Sequence, residues 1–134
     1  MPKVKTEKSI DEVLKEEFLR ERAAVLSRAS EKLTKTLDIL AHIEENICSD
    51  TKAMECLAQM EASQRGAAGD RCIQKKSIVE QINRHIDQFN KTRENAKLDY
   101  YYLIVTREAL GLRKHHWVEE FYSIPPKKRY VKDV

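Results

Sequence analysis

Glycine and proline are scarce in this sequence, and their scarcity excludes several fold classes. The 134 residues contain three glycines and three prolines, too few turn residues for a β-sandwich or a β-barrel. No stretch approaches the roughly 18 consecutive apolar residues that a membrane-spanning helix needs. The chain is instead rich in Glu, Lys, Ala, Leu, Arg and Gln, which favour long helices. The composition therefore predicts an all-α protein.

Cysteine is also scarce, and Cys48, Cys56 and Cys72 form no recognisable motif. Their number is odd, no CxxC occurs, and their spacings of 8 and 16 residues match no zinc-binding pattern. The GxSxG, GxGxxG, HExxH and P-loop patterns are absent as well. We therefore expect a non-enzymatic protein with no cofactor, metal or catalytic residue, and we interpret Cys48 and Cys72 as small core residues.

The first ten residues carry no pattern of a secretory signal. Lysine and glutamate interrupt them, and no apolar segment follows. Together with the few cysteines, this predicts a reduced, cytoplasmic protein that does not associate with membranes.

Apolar residues recur at heptad spacing in the first part of the chain, which is typical of a helix that packs against another helix. Ser9 and Glu12 form a capping-box pattern, so the first helix is predicted to begin at residue 10. The Ser-Asp-Thr run at residues 49–51 consists of residue types that favour the start of a new helix. The first helix is therefore predicted over residues 10–48, with a tight turn after it and a stripe of Leu26, Leu33, Leu40 and Ile47.

A second arm is predicted over residues 52–111, antiparallel to the first because the connection is short. Gly111 is well placed as the left-handed residue that ends this arm. Two glycines lie in residues 66–70, and each costs about 1 kcal/mol relative to alanine inside a helix. A break or kink is favoured there, although small residues would also allow close helix packing in one continuous rod. The rest of the arm carries a stripe of Ile82, Phe89, Ala96, Leu103 and Leu110.

Folding the two arms about residue 50 predicts that the second arm overhangs the first by about 30 Å of helix. We expect a short helix over residues 114–122 to fold back onto this overhang. The residues expected to cover it are Trp117, Val118, Phe121 and Ile124, joined by Val13, Leu14 and Phe18.

The predicted fold is an all-α, elongated antiparallel helical hairpin, or a three-helix coiled-coil-like bundle, with a short carboxy-terminal helix folding back. A single domain is expected over residues 1–126. The proline pair at residues 125–126 ends the last helix, and residues 127–134 are expected to form a frayed or extended basic tail.

Eight of the nine aromatic residues lie from Phe89 onward, so one end of the hairpin is predicted to be aromatic. Tyr and Trp are enriched at protein interfaces. We therefore predict a helical protein-interaction module (an adaptor, small chaperone or assembly subunit) that binds another protein, or a second copy in a homodimer, by helix packing. The candidate binding residues are Tyr100, Tyr101, Tyr102, His115, His116, Trp117 and Phe121.

Two alternative functions depend on the last part of the chain. Residues 113–134 hold six basic and three acidic groups and so carry the whole net charge of +3. A flexible basic segment with an aromatic residue can bind nucleic acid, here through Lys127, Lys128, Arg129, Tyr130 and Lys132. The second alternative is an enzyme that uses His115 or His116 as acid or base, because each lies four residues before a glutamate.

Overall fold

The computed structural model describes residues 9–63 and 68–131, with side chains for residues 9–60 and 73–131, and all regular structure in these ranges is helical. Helix α1 spans Ile10–Ser63, α2 spans Ala68–Ala109 and α3 spans His116–Phe121. α1 and α2 pack against each other as an antiparallel pair. The predicted all-α hairpin with a returning short helix is therefore confirmed.

The start of α1 agrees with the predicted capping pattern. The backbone N–H of Glu12 donates to the hydroxyl oxygen of Ser9 at 3.2 Å, which satisfies one of the backbone donors left free at a helix start. Asp11 and Glu12 lie in the first turn, where negative charge interacts favourably with the helix dipole. Local sequence is thus sufficient to position this end of the helix.

The predicted turn at residues 49–51 is wrong, because α1 continues through it to Ser63. The hydroxyl of Thr51 donates to the carbonyl of Ile47 at 2.8 Å, and the carboxylate of Asp50 accepts from His85 of α2 at 2.8 Å. Residue types that favour caps are tolerated inside a helix when their side chains find such partners. The first helix, predicted over residues 10–48, therefore continues to Ser63.

Contacts between the helices place the centre of the hairpin near residue 67. Thr36 hydrogen bonds with Asp99, Asp50 with His85, and Arg22 with the carbonyl of Leu110. The predicted second arm, residues 52–111, is therefore divided between α1 and α2. Of the predicted break at residues 66–70, positions 66 and 67 lie outside the described residues, and α2 is already helical from Ala68.

The core is a seam along the facing sides of α1 and α2, and both predicted stripes contribute to it. Phe89 and Leu33 are fully buried, and Val118 of α3 adds to the seam. Burial of each such side chain stabilises the fold by about 1.5–3 kcal/mol. Among the side chains that the structure describes, the buried apolar residues are Leu33, Leu40, Ile43, Ile47, Val79, Ile82, Ile86, Phe89, Ala96, Leu103 and Val118.

Cys48 was predicted to lie in the core, and this prediction is wrong. Its side chain is exposed, as is that of Cys56. Cys48 directly follows the buried Ile47, and successive residues on a helix point about 100° apart. The side chain of Cys72 lies outside the described residues.

Gly111 ends α2 in the predicted left-handed conformation, with φ of +88°. The N–H of Leu112 bonds to the carbonyl of Arg107 at 2.9 Å, and the N–H of Gly111 bonds to the carbonyl of Glu108 at 3.0 Å. These are the bonds of a Schellman motif, in which a left-handed residue satisfies the last helix carbonyls. The chain direction therefore reverses here, and α3 lies back on the helix pair.

The overhang belongs to α1 and not, as predicted, to the second arm. Arg22 reaches the carbonyl of Leu110 at the end of α2, so residues 10–21 extend about 18 Å past the pair. We call them the amino-terminal overhang. Val13, Leu14 and Phe18 are exposed there instead of covering the aromatic end, because α1 does not turn near residue 50 but continues to Ser63.

Candidate functional site

α3 is anchored by Val118, which is 1% exposed and packs with Leu33 and Leu103. Tyr122, at the end of α3, packs at the edge of the same cluster. Two other large side chains expected to pack there remain largely exposed, Trp117 at 51% and Phe121 at 74%. A six-residue helix has little more than one face to bury, and that face is taken by Val118.

Arg107 holds the connection between α2 and α3 in place. Its guanidinium donates to the Nδ1 atom of His115 at 3.2 Å and to the carbonyl of Lys114 at 3.1 Å, and it lies 4.8 Å from the ring centre of Trp117. Since Nδ1 accepts, the imidazole hydrogen lies on Nε2 and points at the carboxylate of Glu108, 3.2 Å away. His115 thus bridges two α2 side chains. It does not pair with Glu119, although the four-residue spacing in the sequence suggested that pair.

The predicted tyrosine run is divided between the core and solvent. Tyr100 is half-buried against Leu103 and Val118, and burial, together with the nearby carboxylate of Glu119, raises the pKa of its phenol. Tyr101 and Tyr102 are 61% and 52% exposed, with ring centres 6.1 Å apart.

The exposed aromatic residues do not form one continuous patch. Tyr102 lies near Lys32 of α1, with the ammonium 6.0 Å from its ring centre. Trp117 lies over Arg107, whose position is about 140° around α2 from that of Tyr102. His116 is exposed on α3. The aromatic side chains are therefore present near one end of the hairpin, but on different sides of it.

A shallow groove of about 350 Å³ lies beneath Trp117, between α3 and the helix pair. Its walls are mainly apolar or small side chains of α1, α2 and α3. The residues that line most of it are Leu26, Ser27, Ser30, Leu103, Trp117 and Tyr122.

Residues 122–131, which we call the strap, run back along the helix pair without helix or turn. The proline pair at residues 125–126 disfavours a helix and fixes an extended backbone. Ile124 and Val131 pack against the core cluster, and the ammonium of Lys128 lies 5.0 Å from the ring centre of Phe89. Of the tail predicted to be frayed or extended, residues 127–131 are docked on the helix pair, and residues 132–134 lie outside the described residues.

Two asparagines of α2 bind the strap through its backbone. The side chain of Asn90 donates to the carbonyl of Lys128 at 3.1 Å and accepts from the same residue's N–H at 3.0 Å. Asn83 makes the same pair of bonds with Val131, at 3.2 Å and 2.9 Å. Each amide thus satisfies both backbone groups of one residue, as a neighbouring β-strand would. Arg93 adds a bond from its Nε to the carbonyl of Pro125 at 2.7 Å.

Acidic side chains accompany the basic residues of the strap. Lys128 lies 3.5 Å from Glu44, and Lys127 lies 3.6 Å from Glu94. The phenol of Tyr130 donates to Asp87, and this hydrogen bond raises the pKa of the phenol. Arg129 is exposed, and Lys132 lies outside the described residues.

The sequence prediction missed Asn83 and Asn90, although their seven-residue spacing beside the apolar stripe is a detectable pattern.

The other side of the hairpin is closed by polar contacts between α1 and α2. Asp99, which is 6% exposed, accepts from the hydroxyl of Thr36 at 2.6 Å and lies 3.4 Å from the ammonium of Lys32. Asp50 contacts His85 at 2.8 Å and Gln81 at 3.5 Å. These pairs satisfy the polar groups along the seam, so this side needs no covering segment.

Among the described residues, no three His, Cys, Asp or Glu side chains form a group that could hold a metal ion. None of the helices in the described ranges combines the length and the apolar character that crossing a lipid bilayer requires. Comparisons with models of protein families, with curated proteins and with solved structures found no match to this chain.

Proposed function

We propose that this chain is a non-enzymatic helical protein-interaction module that binds an amphipathic helix of its partner along the amino-terminal overhang of α1. The observation that carries the proposal is the exposure of five large apolar side chains within ten residues of one helix. They are Ile10, Val13, Leu14, Phe18 and Leu19, which are between 41% and 79% exposed.

The positions of these side chains favour a helical partner. Leu19 continues the stripe of Leu26, Leu33 and Leu40 at seven-residue spacing, so it has the position of a core residue with no opposing helix. An apolar stripe at this spacing is the pattern that a second helix covers. A helix lying where α2 would lie if it were longer would bury Leu19 and its neighbours.

A second apolar row begins in the overhang and continues along α1. Phe18, Val25 and Ile39 are 60%, 39% and 54% exposed, and each directly precedes a residue of the core-facing stripe. They are therefore about 100° from the seam, on one side of α1. This row would give a partner helix contacts beyond the overhang itself.

The basic tail supports the nucleic-acid alternative less well than the sequence suggested. Lys127 and Lys128 each lie within 4 Å of a glutamate, and Tyr130 donates to Asp87. While the strap is docked, these groups are paired with carboxylates and therefore bind phosphate and bases less readily. The apolar overhang is therefore the surface that we take as the site of binding.

The test compares two double variants of the full chain. Leu14→Ser with Phe18→Ser removes apolar surface from the overhang, whereas Leu98→Ser with Val105→Ser removes it from exposed positions of α2. We expect the overhang variant to lose its partners in quantitative cross-linking and affinity capture, and the α2 variant to keep them. When the parent chain is a monomer, both should unfold at the same urea concentration as the parent, since exposed positions contribute little to stability.

Light scattering of the same proteins identifies the kind of partner. A homodimer that becomes a monomer only in the overhang variant would identify a second copy, and a monomer throughout would indicate a different protein. Retention of the same mass and of all captured partners by the overhang variant would refute the proposal.

A further inference from the structure

We propose that the groove that holds the strap is a second binding site, a receptor for an extended basic peptide of another protein, and that the strap is its resident, displaceable ligand. This site lies on α1 and α2 between residues 37 and 94 and shares no residue with the overhang. Refuting the function proposed above would therefore leave this proposal unaffected, and the reverse also holds.

Part of the binding in the groove is to the backbone of the strap and so does not depend on its side chains. Asn83 and Asn90 each bind the N–H and the carbonyl of a single strap residue. Seven residues of helix span about 10.5 Å, and the three residues from Lys128 to Val131 span about 10 Å when extended. The two asparagines thus match the repeat of any extended chain placed there.

The chemistry of the walls defines the preferred peptide. Apolar side chains at the positions of Ile124 and Val131 meet the core cluster, and a lysine at the position of Lys128 lies between the ring of Phe89 and the carboxylate of Glu44. Glu94 and Asp87 add acceptors at the rim. An extended segment with an apolar residue, then a lysine four residues later and an apolar residue three residues after that would fit.

The strap is held in a manner that permits exchange. No residue in the range 122–131 is buried, and the most enclosed of them are half-buried. α3, by contrast, is anchored independently by Val118 at 1% exposure. The strap can therefore leave the groove from Ser123 onward while α3 remains in place.

The experiment opens the groove in the full chain and offers a peptide. Replacing Ile124, Lys128 and Val131 by serine removes the side-chain contacts of the strap. We then measure, by fluorescence anisotropy, the binding of a labelled synthetic peptide with the sequence of residues 122–134. We expect the opened chain to bind it at least tenfold more tightly than the parent chain, whose own strap competes at high effective concentration.

Two controls define specificity. Adding Asn83→Ala and Asn90→Ala to the opened chain should weaken peptide binding at least tenfold, whereas Asn95→Ala, at an exposed α2 position, should leave it unchanged. A peptide carrying Lys128→Glu should also bind at least tenfold more weakly. Absence of peptide binding to an opened chain that retains the parent's helical circular dichroism would overturn the proposal.

A second measurement applies if the opened chain loses its helical signal. Isotope-labelled parent chain is mixed with unlabelled peptide at millimolar concentration, and amide exchange is followed by NMR. The N–H groups of Lys128 and Val131 should exchange several-fold faster than with a scrambled peptide. Equal exchange rates with the two peptides would contradict displacement.

Discussion

Two segments extend beyond the paired part of α1 and α2. The apolar side chains of one are exposed, whereas the other is packed against the helix pair. The amino-terminal overhang continues straight as helix and leaves Phe18 60% exposed. The carboxy-terminal segment turns at Gly111, buries Val118 and lays the strap along the core. Both segments contain large apolar residues, so apolar content alone does not decide which of them is covered.

The difference lies in the residues that interrupt a helix. Between Pro2 and Gly66 the sequence contains neither glycine nor proline, so nothing ends α1 before the hairpin turn. The other segment has Gly111 at φ +88° and a proline pair at residues 125–126, which first reverse the chain and then keep it extended. Chain direction, set by a few backbone-specific residues, thus determines whether an apolar segment can find cover within its own molecule.

The largest expected effect on stability concerns phenylalanine. Phe89 lies in the paired part of α2, whereas Phe18 lies in the unpaired overhang of α1. Phe89→Ala should lower the free energy of unfolding by about 3–5 kcal/mol, because it leaves a cavity in the core beneath the strap. Phe18→Ala should change it by less than about 0.5 kcal/mol. Urea denaturation of the two variants measures both values. Similar losses in the two variants would mean that the overhang is covered in solution.

An intermediate effect is expected from the residue that starts the return of the chain. Gly111→Ala should destabilise the fold by about 1 kcal/mol, because an L-residue is disfavoured at positive φ. Apart from its chain neighbours, no described residue has an atom within 4 Å of the position that a Cβ would occupy, so the cost is conformational and not steric. Thermal denaturation should show a smaller loss for Gly111→Asn, since asparagine tolerates this conformation better. Equal losses would point to another cause.

The smallest effect concerns the strap and depends on pH. The hydrogen bond to Asp87 raises the pKa of Tyr130 in the folded chain. The contribution of this hydrogen bond to stability is therefore present below the pKa of free tyrosine, about 10. It is lost as pH rises through the raised value. The parent chain should therefore melt slightly above the Tyr130→Phe variant at pH 8, and the difference should vanish at high pH. A difference that grows with pH would contradict this assignment.

The parts of the fold that sequence could predict are those that depend on neighbouring residues. The Ser9 cap, the left-handed Gly111 and the core positions of Leu33, Leu40, Ile82 and Phe89 were all predicted correctly. The turn was not, because the run at residues 49–51 has the composition of a helix start but finds partners inside a continuous helix. For the strap groove, Asn83 and Asn90 were missed because their function needs a segment some forty residues away in sequence.

Sequence by itself determined that this protein is helical, which faces of its helices are apolar and where the chain stops being helix near Gly111. Those properties follow from side-chain periodicity and backbone preferences within a few residues. Only the tertiary structure decided where the hairpin turns, which helix overhangs and what the basic tail contacts. These depend on the register between two repeating stripes, and a heptad repeat allows several registers of similar local quality. Long-range contacts such as those of Asp99 with Thr36 and of Asn90 with Lys128 select one of them.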